Sequence, residues 1–202
     1  MTERRQRADD VPAFLLHATP WRETSLVINA FTRDYGVVGM VARGAKRPQS
    51  QLRPVLGAFQ PLRLSWSGAR ELKTLRRAES AGIMPLAGRA YMSGWYLNEL
   101  VLRLLAREDP HPTLFDTYQQ TLLALTQGQI DDATERQPVA VLLRRFEWVL
   151  LQETGYGFEG EPPAFDTPQA GVDWRQRLRD RLDSVLERPL QTRRVMMELH
   201  RS

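Results

Sequence analysis

The chain has 202 residues, 42% hydrophobic and 26% charged, an ordinary globular composition with room for one large domain or two small ones. It contains no cysteine, which excludes disulfides and thiolate-ligated zinc, and no apolar run approaches the ~18 residues of a membrane span. The net charge of +4 is unevenly spread. Residues 1–80 hold 14 of the 28 Lys+Arg and 7 of the 24 Asp+Glu, a balance of +7, whereas residues 81–202 come to −3. Such asymmetry points to a basic module joined to a neutral-to-acidic one. The leading MTERRQRADD has no apolar region behind it, so no secretory signal is read there and a cytoplasmic location is expected.

In chain order, Ala13 to Ala18 reads as a first strand ended by Pro20, and Ser25 to Thr32, rich in β-branched and aromatic residues, as a second. Arg33-Asp34-Tyr35-Gly36 has hairpin-turn chemistry, and Val37 to Ala42 returns as the third. From Pro61 to Ser67 the pattern alternates, with Leu62, Leu64 and Trp66 on one face. Ser67 to Arg70 is a turn, and Glu71 to Ala78 is a fifth strand, with helix an open alternative there. Five short strands before any long helix predict a small barrel of the OB kind, because closure protects strand edges in so small a sheet.

The period then changes. Apolar residues between Arg89 and Arg107 recur every three or four positions, predicting a helix stopped by Pro110 and Pro112. Further helices are predicted over Thr113 to Thr126, ended by Gly128, and over Pro138 to Thr154, with Gly155 as its C-cap. Residues 155–171 carry prolines and glycines without periodicity and read as a long loop, followed by helices over Trp174 to Leu186 and Leu190 to His200. The expectation is an α+β chain, with an OB-fold DNA-binding domain over residues 1–80 and a helical docking domain over 81–202.

Catalysis finds little support. The three histidines lack metal-type spacing, no Gly-rich phosphate loop occurs, and Asp131, Asp132 and Glu135 sit in a polar inter-helix segment. The segment Val41 to Arg53 is different: it carries Arg43, Lys46, Arg47 and Arg53, and no acid lies between Asp34 and Glu71. It is either a solvated loop that happens to be basic or a contact for a polyanion, for which flexible Arg and Lys ends suffice. Trp21, beside Arg22 in a loop, is the stacking candidate, while Phe31 and Trp66 read as packing residues. In the third helix Val139, Leu142, Leu143, Phe146, Val149 and Leu150 share one face. Val141, Arg144, Trp148 and Leu151 lie opposite, so the helix either packs on both sides or offers a groove for an acidic-plus-aromatic peptide.

Pro20-Trp21-Arg22-Glu23-Thr24-Ser25-Leu26, Phe31-Thr32, Gly36, Val41-Ala42-Arg43-Gly44-Ala45, Phe59-Gln60-Pro61-Leu62 and Leu72-Lys73-Thr74-Leu75 resemble the N-terminal domain of the bacterial RecO family of recombination mediators. Tyr96 to Leu100, Leu143 to Glu147, Gly155-Tyr156-Gly157 and Arg188-Pro189-Leu190 resemble its later part. The resemblance implies an OB-fold that binds single- and double-stranded DNA; from the basic residues and the stacking candidate, contact is expected at Trp21, Arg22, Arg43, Lys46, Arg47, Arg53, Arg70 and Lys73. It implies a non-enzymatic mediator that anneals complementary strands and, with RecR, helps RecA displace single-stranded-DNA-binding protein (SSB). It also implies docking of the acidic SSB tail on a helical surface where Arg144 and Leu151 stand at matching positions; Trp148, which departs from the family's usual side chain there, is included in the expected contact. No cofactor and no membrane are implied. The four-cysteine zinc site that many members carry after Gly-Tyr-Gly has no counterpart in this sequence, so no metal is expected. An RNA-binding OB protein is the alternative, since phosphate contacts cannot read the sugar; a nucleic-acid hydrolase would need acids clustered near the basic loop.

Overall fold

The computed structural model describes residues 6–127 and 139–199. The predicted helix limits at Gly128, Pro138 and His200, and the acids Asp131, Asp132 and Glu135, lie outside those residues. The chain is α+β: five strands close into a barrel and five helices follow among the described residues.

The strands are β1 (Gln6–Trp21), β2 (Ser25–Thr32), β3 (Gly36–Ala42), β4 (Pro61–Gly68) and β5 (Lys73–Ser80), in the closed order β1-β2-β3-β5-β4. β1 is far longer than the predicted Ala13–Ala18 because it serves two neighbours. Its first half pairs with β4, from Gln6↔Gly68 to Phe14↔Pro61, and its second half with β2, from Ala13↔Thr32 to Trp21↔Ser25. Register shifts between Ala8 and Val11 and between Leu15 and His17 bend it from one partner to the other, as bulges do at barrel corners. Pro20 does not end the strand; it stands opposite Leu26, one step from the hairpin loop, where a missing N–H matters little.

β2 and β3 form the predicted hairpin, closed at Thr32↔Gly36, and Gly36 takes a φ of +65°. Glycine is required there twice over, since a Cβ would also collide with the Asp109 backbone. The predicted alternation in β4 holds: Leu62, Leu64 and Trp66 are all buried, packed with Ile28, Ala30, Val38 and Met40 in the barrel core. Glu71 to Ala78 resolves in favour of a strand. β5 pairs antiparallel with β4 and closes the barrel by a short parallel contact with β3, Met40↔Lys73 and Val41↔Thr74.

The chain divides into two compact units. One is the barrel with the chain to Met84, to which residues 105–112 return; the other comprises residues 85–104 and those from 113 onward. The predicted first helix is therefore shorter than its periodicity suggested: α1 (Gly88–Leu104) stops, Arg107 bridges to Val37 in parallel, and the Glu108 N–H donates to the Val37 carbonyl at 3.1 Å. A φ of +57° at Glu108 makes the turn. The remaining helices are α2 (Pro112–Gln127), α3 (Val139–Glu153), α4 (Pro168–Val185) and α5 (Gln191–Leu199). α4 starts six residues ahead of Trp174, with Thr167 as N-cap and Pro168 in the first turn, where its fixed φ suits helix initiation.

Within the helical unit, α3 packs on α1 and α4, and α1 also holds α5. Tyr118 of α2 donates to Asn98 Oδ1 at 2.5 Å, both buried, and burial raises the Tyr118 phenol far above its ordinary value.

Candidate nucleic-acid interface

Three loops of the barrel converge on one side. The β1–β2 loop turns at Arg22, whose φ of +52° lies in the left-handed region that residues other than glycine seldom adopt. The β3–β4 connection leaves Ala42 through Arg43 and Gly44, the latter at φ +70°, and folds into successive turns in which the Arg47 N–H donates to the Gly44 carbonyl at 3.1 Å and the Ser50 N–H to the Arg47 carbonyl at 3.0 Å. The two loops are tied together. The Lys46 N–H donates to the Thr24 carbonyl at 2.9 Å, the Lys46 ammonium to the Arg22 carbonyl at 3.4 Å, and Ala45 is buried in the core cluster. Leu52, Val55 and Leu56 pack on that cluster as well, which anchors the rest of the connection. The β4–β5 loop, with Arg70, Glu71 and Leu72, completes the group.

Between the loops lies an open cleft of about 1210 Å³, with Val41 and Thr74 of the β3–β5 seam in its lining. Trp21, Arg22, Arg43, Arg47 and Arg70 border it, and Trp21 is 47% exposed, an aromatic face offered to solvent. A second hollow of about 570 Å³ shares Arg43, Gly44 and Arg47 and runs along Pro48, Gln49 and Ser50. Among the described residues none of Arg22, Arg43, Arg47 and Arg70 forms an ion pair, so their charges face the cleft uncompensated at close range. Strands 2 and 3 with the loops between strands 1–2 and 4–5 are the surface on which OB barrels generally take up oligonucleotides.

The residues singled out from sequence fare differently. Six of the eight line the cleft, whereas Lys46 is exposed but braces Arg22, and Arg53 is exposed in a later turn outside the lining. Lys73 lines the cleft by position only: its side chain is 5% exposed, its ammonium lies 2.8 Å from Glu108 Oε1 and donates to the Arg70 carbonyl at 3.0 Å. It therefore props up the β4–β5 loop from within. The sequence reading missed the acids: Glu23 and Glu71 both border the cleft, so an acid-free run in sequence is not an acid-free surface. It also missed Arg107, which reaches the barrel from beyond α1 and pairs with Glu71 at 3.3 Å. Glu23 and Glu71 flank basic residues and were visible; nothing local marked Arg107.

In the helical unit, α3 is buried on two sides. Val141, Trp148 and Leu151 are 3%, 5% and 0% exposed, while Val139, assigned to the opposite core stripe, is 41% exposed. Trp148 is enclosed by two rings from the segment that sequence read as loop and by one from the helix that follows it. Phe158 stacks on it at 5.6 Å, and Phe165 and Trp174 meet it edge-on at 6.1 and 5.2 Å. Arg177 lies 4.4 Å from the Trp174 ring and Arg181 4.7 Å from that of Phe158, closing the outer side by cation–π contact. Arg144 is half-buried; desolvation lowers its pKa, Glu147 opposes that, and like-charged Arg175 adds to it.

The family model described as Recombination protein O N terminal matches residues 10–84, and that described as Recombination protein O C terminal matches residues 86–161. The chain belongs to the RecO family. Proteins named DNA repair protein RecO share high identity with it. That of Aromatoleum aromaticum is 56% identical over 154 residues, covering 76% of this chain and 61% of the relative. That of Ralstonia nicotianae is 53% identical over 163 residues, 77% of this chain and 57% of the relative. That of Cupriavidus metallidurans is 54% identical over 171 residues, 83% of this chain and 55% of the relative. The chain thus spans little more than half the length of these RecO relatives. The first RecO match takes in all of β2 to β5 and the three cleft loops, and the second ends ahead of α4. Cysteine is absent from the sequence, and no group of three or more His, Asp or Glu converges among the described residues.

Proposed function

We propose that this chain is a non-enzymatic recombination mediator whose barrel, within residues 1–80, binds the backbone of single- and double-stranded DNA. The observation that carries the reading is the exposed Trp21 among Arg22, Arg43, Arg47 and Arg70 on the oligonucleotide-binding side of an OB barrel. Unpaired guanidinium groups neutralise phosphates without reading sequence, and an exposed indole stacks on any base. Lys46 and Arg53 extend the basic border, and Lys73 holds the Arg70 loop in place. Family membership supports a role in DNA repair and recombination. In our reading the chain anneals complementary strands and acts with RecR and SSB in loading RecA. The helical domain over 81–202 takes the acidic SSB tail, with Arg144 meeting its carboxylate; Trp148 and Leu151, expected from sequence to touch the tail, are buried and hold α3 in place from within. The setting is cytoplasmic; no helix among the described residues is long and apolar enough to cross a membrane.

The test is binding of labelled single-stranded DNA across a salt series, with matched RNA as competitor. The expected slope of log affinity against log salt is about −0.7 per phosphate contacted. Salt-independent binding, or affinity unchanged after Arg43, Lys46 and Arg47 are all replaced by Ala, overturns the DNA reading. Annealing of SSB-coated strands, with SSB carrying or lacking its acidic tail, tests the mediator role. An Arg144→Glu variant should lose the tail dependence while keeping DNA affinity.

A further inference from the structure

The outer face of β3 carries an unusual passenger. Val38, Met40 and Ala42 point into the barrel core, so Gly39 and Val41 between them face outward, with Val41 in the cleft lining. Gly39 stands opposite Asn29 of β2 and has no side chain; a Cβ there would lie 2.7 Å from Arg107 Nη1 and 3.0 Å from Leu72 Cδ2. The Arg107 guanidinium therefore rests directly on the strand 2–3 face, at the margin of the cleft.

Its backbone is firmly held. The bridge to Val37, the Glu108 N–H bond to the Val37 carbonyl and the Lys73–Glu108 ion pair at 2.8 Å secure the segment to the barrel. The side chain itself is loosely engaged. Its one ion-pair partner among the described residues is Glu71, at 3.3 Å, with Arg107 47% and Glu71 74% exposed. An exposed pair of this kind is weak and readily exchanged. The same Glu71 borders the cleft, so a phosphate leaving the cleft along this face meets a guanidinium already placed and only lightly neutralised.

Building on the DNA reading above, we propose that Arg107 is a phosphate contact of the barrel face and that Glu71 is its internal counter-ion, displaced when a nucleic-acid strand binds. The carboxylate occupies the phosphate's place in the unbound protein and suppresses capture of small anions. The strand gains one contact beyond the cleft, from a residue that enters the barrel only after α1.

The experiment titrates the full chain against a fluorescein-labelled oligo-dT over a salt series, for the wild type, Arg107→Gln, Arg107→Lys, Glu71→Gln, the Arg107→Gln/Glu71→Gln pair and an Arg43→Ala/Arg47→Ala control. Arg107→Gln should bind several-fold more weakly with a slope shallower by about 0.7, and Arg107→Lys should restore the slope. Glu71→Gln should tighten binding about two- to fivefold, the range of an exposed ion pair, and more than half of that gain should vanish in the Arg107→Gln background. An unchanged slope in Arg107→Gln, while the Arg43/Arg47 control weakens binding, overturns this inference and leaves the DNA reading standing. Loss of binding by the control and by none of the other four variants has that same meaning. If the control also binds normally, the DNA reading falls and this inference with it. A Glu71→Gln gain of equal size in both backgrounds removes Glu71 as the counter-ion of Arg107, and a slope in Arg107→Lys as shallow as in Arg107→Gln makes the residue structural.

Discussion

The cleft loops of the barrel and the helices of the second unit employ their arginines in opposite ways. In the barrel Arg22, Arg43, Arg47 and Arg70 project from loops and find no ion-pair partner among the described residues, while behind them an apolar cluster and the pairing of buried Lys73 with Glu108 hold the loops in place. In the helical unit cations are consumed internally. Arg103 pairs with Glu99 at 2.8 Å and donates to the Arg188 carbonyl at 2.7 Å. Arg193 bridges Asp183 at 2.6 Å and Tyr96, whose hydroxyl donates to Glu147 at 2.6 Å. A similar number of charges can thus make a binding surface or a set of helix fasteners, depending on whether they stand on loops or between helices. The number of Lys+Arg, 14 in residues 1–80 and 14 in 81–202, does not tell these apart, whereas their balance against Asp+Glu does.

Substitutions can break this contrast, the largest effects first. Trp148→Ala removes the ring around which Phe158, Phe165 and Trp174 are arranged, and should destabilise the helical unit by about 3–5 kcal/mol in chemical denaturation. DNA affinity should be unchanged; a parallel loss of DNA binding would show that the two units are not energetically separate. Glu108→Ala leaves the buried Lys73 ammonium without its carboxylate. With Glu108 itself partly exposed, the expected cost is about 2–3 kcal/mol, read as an earlier barrel transition and a weaker DNA complex through the displaced Arg70 loop. A variant that melts normally would mean that water replaces the pair.

Glu99→Ala strips the carboxylate that accepts the Gln191 and Thr192 N–H groups and the Thr192 hydroxyl at 2.8, 2.9 and 2.6 Å. It acts as a cap for α5 supplied from α1, and its loss should cost about 1–2 kcal/mol and release α5 to faster amide exchange.

The smallest effect is on pH dependence, where the two glutamates oppose each other. Burial raises the Glu147 carboxyl above 4.5, with Tyr96, Arg193, Arg144 and Arg179 pulling the other way. The folded state therefore binds this proton more readily than the unfolded chain, and stability falls as pH rises through the interval between the two values. Burial would also raise Glu99, but its bonds to Thr192 and Gln191 and the Arg103 charge outweigh that and hold it below 4.5. Its contribution is present above the unfolded value and lost as pH falls through the lower folded one. Melts of Glu147→Gln should gain less than the wild type on going from about pH 7 to about pH 5, and those of Glu99→Gln should lose less below about pH 4.

Much of the fold was legible because it rests on local pattern. The alternation of Leu62, Leu64 and Trp66, the hairpin chemistry of Arg33 to Gly36 and the change of period after residue 85 each follow from side-chain spacing along one element. The length of β1 was not legible, since Gln6, Arg7 and Ala8 in a charged lead join a strand only because β4 supplies their partners across the irregularity at Asp9 and Asp10. The same holds for the rings: Phe158, Phe165 and Trp174 stand in and beside a segment without periodicity, and only packing on Trp148 gives them a purpose.

For the site, the amino-acid order alone determined that basic residues concentrate in the loops around Arg22, Arg43 and Arg70 and that Trp21 stands beside them. These are properties of composition along a short stretch. Which of those charges face the cleft was decided only by the tertiary structure. Lys73 is turned inward by Glu108, which lies 35 positions away, and Arg107 is brought to the strand face by a bridge to Val37 that spans 70. Charge is carried by the residue, but whether it faces solvent or a partner depends on contacts made across the closed barrel.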